Sequence, residues 1–201
     1  MPRRSQKSRP TPSPTRWGSE AMAVLLFPDN TVLINFAVIN RMDLLERLAN
    51  GNGAWCATVS QECGASATQP GLGALAHADA IFGDPWFPEG AEHLDIRMLR
   101  QELASPGDGP RKHLGEAETL AIMMRRQANG FFVTDDGEAR RLATKHGVKV
   151  ASTWLLLRTA HKQGWVDDDT LWGYVQTLRT NKRGTPPGVY DRESFNKWLE
   201  P

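Results

Sequence analysis

Acidic side chains recur at four comparable places in this chain: Asp29, Glu62, Glu116, and the adjacent pair Asp135 and Asp136. Asp29 and the aspartate pair directly follow short apolar runs, while Glu62 and Glu116 stand in the opening turns of expected helices. Carboxylates gathered in one place repel and raise one another's pKa unless a cation neutralises them. An all-oxygen donor set selects a hard divalent ion, Mg2+ or Mn2+. Such an ion polarises a phosphoryl oxygen and lowers the pKa of bound water, so carboxylates without histidine or cysteine ligands point towards phosphodiester chemistry. Thr134 could fix a metal-bound water or a carboxylate from just before the pair. Glu118 lies two residues after Glu116, and a two-residue helical step separates their directions. Glu116 is therefore the expected ligand, with Glu118 supporting it or facing solvent. Each acid also has a plainer role available. Asp29 can serve as a helix N-cap, and Glu62 as a solvated or capping-box residue.

The elements that must position these groups alternate. Residues 24–27 (VLLF) read as a strand ending at Pro28, where a missing N–H matters least. Asp29-Asn30-Thr31 then opens a helix containing Val32, Leu33, Phe36 and Ala37. Residues 55–59 read as a second strand, with Ser60-Gln61-Glu62 opening the helix after it. A weak helix is expected over residues 72–82, and another around Leu94, Met98 and Leu99. Gly115-Glu116 starts an amphipathic helix that Asn129-Gly130 stops. Phe131 to Val133 is an apolar strand, Glu138 to His146 a helix, and Val148 to Val150 the next strand. That order is the grammar of a parallel α/β sheet, whose sites lie beyond the carboxyl ends of its strands. If the runs at 24–27 and 131–133 are neighbours, Asp29 and Asp136 share an edge. Further helices are expected around Trp154–Ala160, over 167–179 and over 192–199, with a basic Pro/Gly-rich linker at 180–188.

Length and composition bound the alternatives. A chain of 201 residues suits one core with appendages. Five of the 24 basic groups (Arg3, Arg4, Lys7, Arg9, Arg16) and one of the 23 acids (Glu20) fall in the first twenty residues, so the body keeps 19 basic and 22 acidic groups. No bulk basic field covers it, and affinity for a polyanion must come from a local patch or the tail. Residues 1–21 are expected to be a disordered basic, proline-rich tail, residues 22–166 the α/β domain and residues 167–201 a helical extension. Cys56 and Cys63 form no CxxC, which suits reduced thiols in the cytoplasm. No apolar run approaches the ~20 residues needed to span a bilayer. His113, three residues before Glu116, reads as a loop histidine, and the tryptophans as packing residues. Arg140, Arg141 and Lys145 could engage phosphate or line a solvated helix face.

In their order, FPDNTVLINFA, VSQEC, HLGEAETLAI and VTDDGEARRLA resemble the PIN-domain ribonuclease superfamily, with the nearest likeness to VapC-type toxins and small prokaryotic PIN proteins. The resemblance runs from about residue 22 to 164. It implies a three-layer α/β/α sandwich around a central parallel sheet. It also implies an acidic quartet of Asp29, Glu62, Glu116 and Asp136 that binds Mg2+ or Mn2+ and cleaves RNA, with Thr134 matching the family's hydroxyl two residues before the fourth acid. Asp135 competes for that fourth place. An antitoxin protein and a homodimer are the partners it implies. A PIN-like module that binds RNA or protein without cutting is the alternative.

Overall fold

A computed structural model describes residues 23–200; the expected tail at 1–21 lies outside them. Its centre is a parallel sheet in the order β1-β2-β3, formed by Leu25–Pro28, Gly130–Val133 and Lys149–Ala151. The strands run in register, with Pro28 opposite Val133 and Val133 opposite Ala151. Their carboxyl ends therefore stop at one edge. Two backbone bonds continue the ladder past that edge, from Asp29 N–H to the Val133 carbonyl (2.8 Å) and from Thr134 N–H to the Ala151 carbonyl (3.0 Å).

The strand residues alternate sides, as the pleat requires. Leu26, Phe131, Val133 and Ala151 join one apolar cluster, built with α1 (Asn30–Val38), α2 (Met42–Ala49) and α3 (Ala57–Ala67). Phe27 and Phe132 join the other, built with α5 (Glu92–Leu103), α6 (Leu114–Arg125) and α7 (Gly137–Lys145). Between α3 and α5 lie a 3-10 turn, Gly73–His77, and the short α4 (Ala78–Phe82). The chain ends in α8 (Thr153–Lys162), α9 (Asp168–Thr180) and α10 (Arg192–Leu199), whose Leu157, Leu171, Val175, Leu178 and Phe195 are fully buried in the first cluster. With helices on both faces of a parallel sheet, this is the three-layer α/β/α sandwich expected.

Several local expectations are corrected. Residues 55–59 do not form a strand: Trp55 and Cys56 are extended with one isolated bridge, Cys56 to Trp86, and α3 already begins at Ala57. The buried series Cys56, Val59, Cys63 and Ser66 has helical spacing, and that tertiary face outweighs the β-branched pair Thr58-Val59. Glu62 consequently stands inside a helix, not at a helix start behind a strand. The expected helix over 72–82 is a 3-10 turn followed by α4. In α5 the buried face is Glu92, Ile96, Leu99 and Leu103, while Leu94 and Met98 are exposed. Helix α6 stops at Arg125, with Gln127 in the left-handed region, and Gly130 belongs to β2. A Cβ on Gly130 would stand 2.6 Å from the Leu25 carbonyl oxygen, so its role is close strand approach, not helix termination.

Candidate active site

Asp29 sits at the junction of β1 and α1, the N-cap position, yet its side chain makes no cap hydrogen bond. It is 5 % exposed. Burial first, then the nearby charge of Glu116 and, less strongly, Glu62, push its carboxyl up from 3.8 to about 7; the Thr31 hydroxyl and the Asn30 N–H only partly oppose this. The same physics raises Glu62 on α3: burial first, then Glu116, then Glu118. Glu116 lies in the first turn of α6, beside α3. A side chain at Gly115 would meet Val59 at 3.1 Å and Glu62 Oε2 at 3.4 Å, so this glycine allows the close α3–α6 approach that brings Glu62 towards Glu116. Asp29, Glu62 and Glu116 thus form one electrostatic neighbourhood, and no lysine or arginine among the described residues forms an ion pair with any of them.

The aspartate pair at the end of β2 divides its work. Asp135 accepts from Thr153 N–H (2.9 Å), Thr153 Oγ1 (2.6 Å) and Asn35 Nδ2 (2.9 Å), tying this turn to the start of α8 and to α1. Asp136 caps α7 through one oxygen, accepting from Ala139 N–H at 2.8 Å, and its other oxygen carries no hydrogen bond among the described residues. Thr134 is fully buried, and its hydroxyl accepts from Asp136 N–H at 3.2 Å, which fixes the turn. Asp136 is therefore the better ligand candidate of the two, and Asp135 the strut beneath it.

Glu118 is not solvent-facing. It is buried and accepts from Thr58 N–H (3.1 Å) and Thr58 Oγ1 (2.6 Å), so a carboxylate on α6 satisfies an N–H in the first turn of α3 that α3 itself leaves unpaired. His113 turns out to border the acids. Its ring lies between Asp108 Oδ2 (3.6 Å) and Glu116 Oε1 (3.5 Å), placed there by a left-handed backbone at φ 63°. Arg141 pairs with Glu138, and Lys145 with Glu102 at 2.6 Å, so both belong to a solvated face. Cys56 and Cys63 are unbridged and buried, with burial pushing their thiols up to about 12 and about 11.

Three residues missed in the sequence complete the edge. Asn35 is 1 % exposed on the apolar face of α1, where an amide among Val32, Leu33 and Phe36 is itself a signal. Thr153 lies under Asp135. Arg183, from the segment after α9, donates to Asn35 Oδ1 (2.7 Å) and to the Thr31 carbonyl (3.0 Å), with Asp135 and Asp29 as its nearest negative charges.

Hard oxygen donors on a strand-end edge fit a divalent ion by chemistry, and the buried Asp29, which has no contacting lysine or arginine among the described residues, is the group most in need of one. The fit is not preassembled. Among the described residues no three His, Cys, Asp or Glu side chains stand close enough to hold a metal together. Mutual repulsion disfavours the close approach of uncompensated carboxylates.

The class of structure is thus a parallel α/β/α sandwich with acids along its strand-end edge. A family model described as a PIN domain matches residues 26–193, and the chain belongs to that family. The match continues through α9 into α10 and includes Arg183. No curated protein and no solved structure matches the chain.

Proposed function

We propose that this protein is a metal-dependent endoribonuclease that hydrolyses RNA phosphodiester bonds. The observation that carries the reading is Asp29, a carboxylate buried at the strand edge beside Glu116 and Glu62 with no lysine or arginine among the described residues in ion-pair contact with it. Leaving such a group uncompensated is costly, and its raised pKa registers the cost. Asp29, Glu116 and Asp136 would hold Mg2+ or Mn2+, with Glu62 contacting it through water or orienting the nucleophile. When bound, the ion supplies Lewis acidity and a water of lowered pKa. The chain's own contribution is placement. The β1–β2 register fixes Asp29 against Thr134, Thr134 fixes the Asp136 turn, and the Gly115 contact sets Glu62 by Glu116.

The test is the purified protein against single-stranded and structured RNAs with Mg2+, Mn2+ or chelator. Endonucleolytic cuts that vanish with chelator and with Asp29→Asn are expected. RNA left intact under both metals would defeat the nuclease reading. The same proposal takes a toxin role with an antitoxin partner, and a homodimer in the cytoplasm; light scattering on the purified chain, alone and with the product of an adjacent small gene, tests the assembly.

One observation favours a second reading, a PIN module that holds RNA or protein without cutting: the acids are not gathered within coordination reach. Calorimetric titration with Mn2+ separates the two. Binding that Asp29→Asn removes supports the nuclease, and absence of binding supports the module.

A further inference from the structure

We infer that Arg183 is a substrate-binding residue of the acidic edge, a fixed cation that receives a phosphate of single-stranded RNA next to the carboxylates. This deepens the nuclease reading and rests on it for the identity of the anion.

The argument begins with what Arg183 touches. Its Nε and Nη2 donate to Asn35 Oδ1 and the Thr31 carbonyl, both neutral acceptors on α1. Its charge is therefore aimed but not cancelled by a contacting carboxylate. Asp135, the nearest candidate, has its oxygens occupied by Thr153 and Asn35. Asn35 thus has a two-sided role: its amide N–H groups serve Asp135 and Thr153, and its carbonyl oxygen holds the guanidinium. Among the described residues Nη1 has no hydrogen-bond partner, which leaves that side of the planar fork open. The side chain is half-buried, so the charge acts in a less screened setting than a surface lysine would.

Placement completes the argument. An acidic centre repels the polyanion it has to admit, and the body of this chain carries no basic surplus to offset that. Arg140 forms no ion pair among the described residues and lines a shallow depression on α7 with Arg141 and Lys145, which are engaged by Glu138 and Glu102. Arg183 is the guanidinium anchored between α1 and the strand-end acids. Arginine suits the task because one edge of its rigid fork, Nε and Nη2, can grip the protein while its Nη1 side faces phosphate, which a lysine's single point charge cannot do.

The experiment measures binding of a labelled short single-stranded oligoribonucleotide by anisotropy across a salt series. Ca2+ replaces Mg2+, and the probe is checked as intact afterwards. Wild type, Arg183→Gln and Arg183→Lys are compared, each with its melting temperature. Loss of one phosphate contact on a single strand lowers the slope of log affinity against log salt by about 0.7. We expect that loss of slope in Arg183→Gln with roughly tenfold weaker binding at moderate salt, and recovery of slope with partial affinity in Arg183→Lys. An unchanged slope in Arg183→Gln overturns the assignment, because mere loosening of the segment would lower the active fraction and not the salt dependence. A wild type that does not bind the probe overturns it as well. A wild type that binds with an Arg183-dependent slope but never cuts in Mg2+ or Mn2+ removes the nuclease reading and keeps Arg183 as an RNA contact, so the two failures are distinct.

Discussion

Asp29 is legible in the sequence as a strand-end acid, but sequence could not separate a helix cap from a strained site residue. The structure does so by two facts: the side chain makes no cap bond, and its carboxyl is pushed up to about 7 by burial, Glu116 and Glu62. The consequence for stability has a definite sign. The folded state holds the Asp29 proton more tightly than the unfolded chain, so the stabilising contribution is complete below about pH 4, falls as pH rises and is gone above about pH 7. Asp29→Asn removes that titration. Relative to wild type, the variant should gain on the order of 2–4 kcal/mol at pH 8 compared with pH 4, measured by urea denaturation. Mn2+ at pH 8 should stabilise wild type and leave Asp29→Asn unmoved, since only the ionised carboxylate gives the ion a reason to bind. Equal pH profiles for the two proteins would show that Asp29 is an ordinary exposed acid. Asn35, Thr153 and Arg183 were hidden for a different reason. Asn35 meets Asp135 and Thr153 at separations of 100 and 118 positions, and Arg183 meets Asn35 at 148, and no local pattern records such distances.

Among the elements, the strands and the last three helices could be read because their apolar runs and turn residues agree with their environment. Helix α3 could not. Thr58-Val59 favours a strand locally, and the decisive contacts come from α6: Glu118 takes the N–H and hydroxyl of Thr58, and Gly115 lets the two helices close. Glu118→Ala should therefore leave a buried N–H and hydroxyl unpaired and cost about 2–3 kcal/mol in denaturant unfolding. The β2–α7 turn allows a cleaner separation. Asn caps a helix about as well as Asp, whereas Ala loses about 1 kcal/mol. Asp136→Asn should keep wild-type stability and Asp136→Ala should lose that amount, while both lose metal-dependent cleavage. Full cleavage by Asp136→Asn would transfer the ligand role away from this position.

At the scale of the whole molecule, the C-terminal helices are part of the machinery that sets the site. Phe195 of α10 is fully buried, with ring centroids 5.0 Å from Trp172 and 5.8 Å from Trp198, and α9 contributes Leu171, Val175 and Leu178 to the same core. Asp191 and Ser194 close a capping box at the start of α10, and Arg192 pairs with Asp169 at 2.7 Å across to α9. The segment bearing Arg183 runs between these two anchored helices, so its position over α1 is a product of their packing. Phe195→Ala should cost about 3–5 kcal/mol, a large part of a typical domain's stability, because the neighbouring indoles cannot fill the space left. At temperatures where the variant stays folded, the same loss should loosen the Arg183 segment and weaken RNA binding. The acidic edge is held by β1, α3, α6 and the β2–α7 turn, so Mn2+ affinity should be unchanged. A variant that loses less than about 1 kcal/mol would mean that α10 is dispensable to the core, and one that loses Mn2+ and RNA together would mean that the acids and Arg183 are not positioned independently.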